Sequence, residues 1–189
     1  MRIITGTARG MKLYTLDGES TRPTSERAKE ALFSMLHFDL EGREILDLFG
    51  GSGQLSLEAL SRGAAHATIV DESKAAVDII HRNAQKTRLT DKCTVVRSDY
   101  NAFLASVARR AQYDIIFLDP PYSQKLIPSV LENLIKYSLI KPTTIIACET
   151  VDGNVFGNRA YLSDEYDIIK ESKYGIAHIT LLNPRTKER

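Results

Sequence analysis

The sequence contains little cysteine and no long hydrophobic run. Cys93 and Cys148 are the only cysteines among 189 residues, too few for a disulfide framework or a four-cysteine zinc site. No stretch approaches the roughly 20 apolar residues that cross a bilayer, and the N-terminus MRIITGTARG lacks the apolar segment of a signal peptide. The histidines, at positions 37, 66, 81 and 178, show no metal-ligand spacing. We therefore expect buried free thiols, no metal, no membrane association and a cytoplasmic location.

The sequence also lacks an excess of charge of either sign. The 25 Lys and Arg oppose 24 Asp and Glu, which gives a formal net charge of +1. The apolar and charged fractions, 43% and 26%, are close to globular averages and exclude a disordered, collagen-like or coiled-coil chain. The length fits one domain with a small appendage, and the net charge gives no indication of a nucleic-acid partner.

Short β-rich runs alternate with helical periods from residue 45 onwards. Repeated β–α units need right-handed crossovers, which predict parallel strands with helices between them. The third of these helices is expected over residues 101–110. Two final runs leave no room for a helix and predict an antiparallel edge hairpin. The expected fold is α/β, with a doubly wound, mostly parallel seven-stranded sheet. The predicted strands are 45–49, 67–70, 93–96, 114–118, 144–148, 166–170 and 176–182.

The first 40 residues follow a different pattern. Residues 1–16 predict a short hairpin around a turn at 6–10. A helix is expected from about Ser25 to His37, with apolar residues on one face and Thr24 or Ser25 as its N-cap. We therefore expect residues 1–40 to form an extension packed against a core of residues 41–189.

A glycine-rich loop, Gly50-Gly51-Ser52-Gly53, follows the first core strand, where a ligand can approach the backbone closely. The dinucleotide fingerprint is incomplete, because Ser56 stands where its third glycine would be. Asp47, Asp71 and Asp99 lie at the ends of three strands, and we assign them to a ligand's ammonium, ribose and adenine groups respectively. That ligand is S-adenosylmethionine (SAM). The alternative interpretation is that each Asp caps the following helix.

The motif Asp119-Pro120-Pro121-Tyr122 ends the most apolar strand. Two prolines fix the backbone and leave carbonyl oxygens available as acceptors. The Asp119 carboxylate and the Pro120 carbonyl can both accept from one exocyclic base amine, which favours the pyramidal form that attacks a sulfonium methyl group in line. Tyr122 offers a face on which an extruded base can stack, worth about 1–3 kcal/mol. The alternative is a strand-terminating turn with a core tyrosine.

With both motifs present, the chain resembles the RsmD family, bacterial methyltransferases that modify the N2 amine of a guanine in 16S ribosomal RNA. The family usually has Ala where this chain has Gly50, and often Glu where it has Asp71. The matching segments are Arg2 to Gly6 with Arg9-Gly10, Thr21 to Thr24, Ala31 to Phe33, Asp47 to Gly53, Leu57 to Ala64, and Asp119 to Tyr122.

The resemblance implies a Rossmann-like class I methyltransferase that uses SAM, releases S-adenosylhomocysteine (SAH) and needs no metal. Its expected partner is 16S rRNA in an assembling or assembled small ribosomal subunit, and a monomer is expected. The expected catalytic residues are Asp119, Pro120, Pro121 and Tyr122. The expected cofactor-binding residues are Asp47, Phe49, Gly50, Gly51, Ser52, Gly53, Asp71, Asp99, Tyr100, Arg22 and Thr24.

Basic residues cluster locally despite the balanced total. Arg2, Arg9 and Lys12 face no acid within residues 1–12, whereas residues 149–171 hold six acids and two bases. We predict these three residues to be the main RNA-docking side chains. The five basic residues within 82–97 are interpreted as ordinary solvated side chains, with RNA contact as the alternative. The C-terminal tail also carries three basic residues against one acid: Arg185, Lys187 and Arg189 against Glu188.

Three other functions are consistent with parts of the sequence. Adenine-N6 DNA methyltransferases also have the Asp-Pro-Pro-Tyr motif, but the roughly 40 residues outside the core leave no room for a separate base-recognition domain. A non-catalytic RNA-binding or assembly protein would not need the intact acids. A nucleotide-dependent oxidoreductase is disfavoured by Ser56.

Overall fold

The computed structural model describes residues 1–16, 23–36, 40–121 and 125–186, with side chains in the second range from residue 26 onwards. Within these ranges the chain forms seven strands and five α-helices, with 3-10 turns at Thr90–Lys92 and Ala160–Asp164. The strands are β1 (Glu44–Asp47), β2 (His66–Asp71), β3 (Cys93–Arg97), β4 (Tyr113–Leu118), β5 (Ile140–Thr150), β6 (Tyr166–Tyr174) and β7 (Ala177–Pro184). The helices are α1 (Pro23–Met35), α2 (Gln54–Ser61), α3 (Lys74–Thr87), α4 (Tyr100–Ser106) and α5 (Ile127–Lys136).

The sheet has the order β3-β2-β1-β4-β5-β7-β6. Strands β1 to β5 are parallel, and β7 lies antiparallel between β5 and β6. The predicted fold, including its antiparallel edge hairpin, is confirmed. The strand order reverses between β1 and β4, and the crevice outside the carboxyl ends of such strands is where open α/β sheets bind ligands.

The core lies in two apolar clusters on opposite faces of the sheet. Successive residues of β1 alternate between them, so that Ile45 belongs to one cluster and Leu46 to the other. The first cluster contains side chains of α1, α2 and α3 together with Ile3 and Leu13, and the second contains those of α4 and α5. The N-terminal residues therefore share a core with the helices that flank the glycine loop.

Several boundaries differ from the sequence prediction. The third core helix ends at Ser106 rather than 110, because Arg109 adopts a left-handed φ of 58° and its N–H donates to Tyr137 O (2.9 Å). The N-terminal hairpin is a chain reversal with one antiparallel bridge, Arg2 to Lys12, instead of two strands. Helix α1 begins at Pro23, a residue suited to a first helical turn. Its predicted cap side chains, and His37, lie outside the described residues.

Both cysteines are free, but only Cys148 is buried and Cys93 is partly exposed. None of the helices in the described part of the chain has the length and apolar character needed to span a bilayer.

Candidate functional site

A cavity of about 740 Å³ opens at the carboxyl ends of the central strands. It brings together most of the predicted cofactor and catalytic residues. Gly53 is not part of its lining, Tyr122 and Arg22 lie outside the described residues, and the side chain of Thr24 is not described. The predicted residues in the wall are Asp47, Phe49, Gly50, Gly51, Ser52, Asp71, Asp99, Tyr100, Asp119, Pro120 and Pro121.

The backbone of the glycine loop is held by one hydrogen bond to the backbone of β2 and by one within the loop. Gly50 N–H donates to Val70 O (2.9 Å) and Gly53 N–H donates to Gly50 O (2.7 Å). Gly53 precedes α2 with a φ of +76°, which favours glycine. A Cβ on Gly50 would lie 2.6 Å from Ile69 Cγ2, so the absence of a side chain lets the loop pack directly on β2.

Asp71 binds the loop from the end of β2. Its Oδ2 accepts from Gly51 N–H (2.9 Å) and its Oδ1 from Ser73 N–H (2.8 Å). Each carboxylate oxygen has a second acceptor site. Asp71 can therefore position the loop and still accept from a ligand hydroxyl in the cavity.

Asp99 has a structural role besides lining the cavity. Its Oδ1 caps α4 by accepting from the N–H groups of Asn101 and Ala102 (both 3.0 Å), as the alternative interpretation expects for a strand-end acid. Beside it, the rings of Phe49 and Tyr100 lie 5.7 Å apart at 46° and both line the cavity. Together these residues form an aromatic wall with an acceptor next to it.

Asp47 is a buried carboxylate at the floor of the site. It is 1% exposed, its Oδ2 accepts from Ser56 Oγ (2.9 Å), and burial raises its pKa from 3.8 to about 6. Gln54 Oε1, also in the wall, is the one buried side-chain oxygen or nitrogen within the described residues that lacks a hydrogen-bond partner. Two acceptors of this kind suit the ammonium group of SAM. Sequence reasoning missed Gln54, and took Ser56 only as a missing glycine.

We expect Asp47→Asn to stabilise the cofactor-free protein by about 1–3 kcal/mol at pH 8, the upper value being the full pKa difference. The cost of ionised Asp47 is present above the folded-state pKa of about 6. This cost disappears as the pH falls towards 3.8, the ordinary pKa of an aspartate. The stability gained by Asp47→Asn should therefore vanish below about pH 4. Urea unfolding at pH 8 and pH 4 measures the difference, and a variant less stable than wild type at pH 8 would contradict this assignment.

A second cavity, of about 600 Å³, adjoins the first. The two share Pro120, Pro121, Leu126 and Glu149. The remainder of the second wall comes from the start of α5, the end of β5 and the loop before the final 3-10 turn, including Asn154. The Asp119-Pro120-Pro121 segment thus lies at the junction between a cavity rich in acceptors and one large enough for a nucleobase.

The N-terminal residues are held by α2 through a buried carboxylate. Glu58, 0% exposed, accepts from the N–H groups of Ile4 (2.7 Å) and Thr5 (3.1 Å) and from Arg62 Nε (2.8 Å). The ammonium of Lys29, whose pKa is lowered by burial, lies 3.7 Å from Glu58. The sequence alone identifies Glu58 only as part of a resembling segment, because the backbone groups that it binds, at Ile4 and Thr5, are more than 50 residues away.

The predicted RNA-docking residues are exposed and lie outside both cavity walls. Arg2, Arg9 and Lys12 belong to the segment that Glu58 and its neighbours fix in place. No cluster of three or more His, Cys, Asp or Glu side chains that could hold a metal ion is found in the parts of the chain that the structure describes.

Comparison with known proteins gives consistent matches along nearly the whole chain. A family described as conserved hypothetical protein 95 matches residues 1–183. Ribosomal RNA small subunit methyltransferase D of Haemophilus influenzae is 32% identical over 182 residues, which cover 96% of this chain and 92% of the relative.

Solved structures show the same fold. The yhhF protein of Escherichia coli has a TM-score of 0.84 at 29% identity, covering 97% of both chains. The protein SMU.776, solved in complex with SAH, has a TM-score of 0.70 at 15% identity over 85% of this chain and 49% of its own. The match over residues 1–183, and a relative 32% identical along nearly all of both chains, show that the chain belongs to the RsmD family, as its motifs predict.

Proposed function

We propose that this chain is a cytoplasmic, monomeric, SAM-dependent methyltransferase. Its substrate is the N2 amine of a guanine in 16S rRNA, within an assembling or assembled small ribosomal subunit. The main support is the junction of two cavities at Asp119-Pro120-Pro121, one lined by acceptors suited to SAM and the other large enough for a base. The name of the Haemophilus influenzae relative, which specifies small-subunit ribosomal RNA, favours RNA over DNA.

The first cavity offers a partner for each polar part of the cofactor. The carboxylate of Asp71 accepts from the ribose hydroxyls, and Asp99 accepts from the adenine amine beside the rings of Phe49 and Tyr100. Asp47 and Gln54 accept from the ammonium group. When bound, SAM supplies an electrophilic methyl group on a sulfonium.

The target amine lies between the two cavities. Asp119 Oδ and the Pro120 carbonyl accept its two hydrogens and direct the nitrogen lone pair at the methyl group. The N–C bond forms as the S–C bond breaks, and the electron pair of the S–C bond stays on the sulfur of the departing thioether, SAH. The nitrogen thereby becomes acidic and its proton leaves to the Asp119 carboxylate or to water, so no strong base is needed. Stacking of the extruded base on Tyr122 belongs to this proposal as well.

The substrate RNA docks on the N-terminal segment. Reversing the charge of Arg9 and Lys12 (Arg9→Glu with Lys12→Glu) is expected to lower RNA affinity about tenfold or more and to lower methylation accordingly, because phosphate contacts dominate such affinity. The affinity for SAH, measured by calorimetry, should stay unchanged. Lys170→Glu with Lys173→Glu, the same charge change on the exposed strand β6, is the matched control. RNA affinity equal to wild type in the Arg9/Lys12 variant would refute this docking role.

The proposed activity is tested with tritium-labelled SAM on three substrates. These are rRNA from an undermethylated strain, small subunits from the same strain, and duplex DNA. We expect label in the RNA or the subunits and none in DNA. Transfer to DNA would support an adenine-N6 DNA methyltransferase instead, and a chain that binds no SAH in calorimetry would be a non-catalytic relative.

A further inference from the structure

An aromatic ring holds two cations together on the surface of α3. Tyr14, 43% exposed, lies under the guanidinium of Arg82, whose Cζ is 4.2 Å from the ring centroid. The ammonium of Lys86 is 4.4 Å from the same centroid. Arg82 and Lys86 are four residues apart on α3, and both are exposed. Both charges therefore lie against one ring at the surface of α3.

This arrangement concentrates positive charge at one ring. Within the described residues, no ion pair involves Arg82 or Lys86. Like charges at positions i and i+4 of a helix repel each other, and the contact of each cation with the exposed ring offsets that repulsion. A polyanion is the partner that such a pair of cations complements.

The ring occupies this place because a buried side chain fixes the backbone of Tyr14. Asn83, 0% exposed, accepts from Tyr14 N–H (2.8 Å) through Oδ1 and donates to Tyr14 O (2.9 Å) through Nδ2. The same Nδ2 donates to Ser52 O (2.8 Å) in the glycine loop. Asn83 thus joins the backbone of Tyr14 to the glycine loop at the edge of the cofactor site. Tyr14 is two residues after Lys12, one of the predicted RNA-docking residues.

We propose that Tyr14, Arg82 and Lys86 form a second RNA contact, in which the two cations bind backbone phosphates beside the cofactor loop. This inference rests on the proposed function and extends its docking surface from the N-terminal segment onto α3. It also changes the interpretation of two basic residues in the 82–97 run, which the sequence alone suggested were ordinary solvated side chains. Their common contact with Tyr14 is what distinguishes them from the other three.

The test compares two pairs of substitutions in RNA binding over a series of salt concentrations. Arg82→Gln with Lys86→Gln should lower affinity about tenfold or more near 0.1 M salt. Each phosphate contact contributes about −0.7 to the slope of log K against log[salt] for single-stranded RNA. If both cations contact phosphates, the slope for the variant should therefore be shallower by about 1.4. Lys170→Gln with Lys173→Gln on β6, at the opposite edge of the sheet from α3, should change neither. Calorimetry with SAH verifies that the fold and the cofactor site are retained.

The ring has its own test. Tyr14→Leu should lower RNA affinity, because the cations lose the surface that holds them together, and Tyr14→Phe should restore it, because the ring is retained. Wild-type affinity and salt dependence in the Arg82/Lys86 variant, or an equal loss in the β6 control, would overturn the proposal. So would Tyr14→Leu binding as tightly as Tyr14→Phe.

Failure of this inference can be distinguished from failure of the proposed function. A wild-type protein that methylates rRNA, together with an Arg82/Lys86 variant that binds RNA equally well, removes only the second contact. If the wild-type protein neither binds nor methylates rRNA, both the second contact and the proposed function are ruled out.

Discussion

Asp119→Ala is expected to lower the single-turnover rate of methyl transfer by about 10²–10⁴-fold while the affinity for SAH stays within about twofold of wild type. Asp119 follows β4, whose residues are buried along nearly its whole length. It lines the first cavity and directly precedes Pro120 and Pro121, which line both. Its removal takes away one of the two acceptors proposed to orient the target amine, but none of the proposed contacts to the ribose, adenine or ammonium groups.

Two further variants make this result specific. Asp119→Asn keeps one acceptor oxygen, so its rate should lie between that of Asp119→Ala and wild type. Asp91→Ala, on the exposed Thr90–Lys92 turn, removes a carboxylate away from both cavity walls and should change neither rate nor affinity. An Asp119→Ala protein as active as wild type would rule out the proposed role of this carboxylate.

Asp71→Ala is expected to weaken the affinity for SAH by about 100-fold, with far less effect on turnover at saturating SAM. The substitution removes the proposed ribose acceptor and leaves Gly51 N–H and Ser73 N–H without their carboxylate partner. Hydrogen bonds to a charged group contribute about 1.5–3 kcal/mol each, and 100-fold corresponds to about 2.8 kcal/mol. Calorimetry gives the affinity, and rates at rising SAM concentration separate binding from turnover.

Asp71→Asn provides the graded comparison for this position. Gly51 N–H and Ser73 N–H bind different oxygens of Asp71, and an asparagine keeps only one of these oxygens. One of the two contacts is therefore retained, and the loss of affinity should be intermediate. Unchanged SAH affinity in Asp71→Ala would mean that the cofactor does not bind against the loop that Asp71 positions. The opposite effects expected at positions 119 and 71, on rate and on affinity, separate the proposed methyl-acceptor side from the cofactor side.

The sequence predicted the parts of the site that lie at strand ends. Asp47 and Asp71 could be placed together because adjacent parallel strands end at the same edge of a sheet. The interpretation of Asp99 needed the structure, since whether a strand-end acid faces a cavity, caps a helix or does both depends on side-chain geometry.

The contacts that join the N-terminal segment to the core could not be predicted from local patterns. Glu58 on α2 is charged, and a charged helical residue is most often exposed. Here it is fully buried, and it accepts from the backbone of Ile4 and Thr5, more than 50 residues away. Asn83 binds Tyr14, which is 69 residues away along the chain, and Ser52, which is 31 residues away. Periodicity and propensity describe neighbours along the chain, whereas these side chains are selected by tertiary contacts.

The identity of the methylated nucleoside distinguishes the proposed function from its alternatives. After incubation of the protein with SAM and small subunits from an undermethylated strain, the 16S rRNA is digested to nucleosides and examined by mass spectrometry. The proposal predicts N2-methylguanosine, at up to one per RNA molecule, and none with Asp119→Ala. N6-methyladenosine, or a product that Asp119→Ala forms equally well, would contradict it.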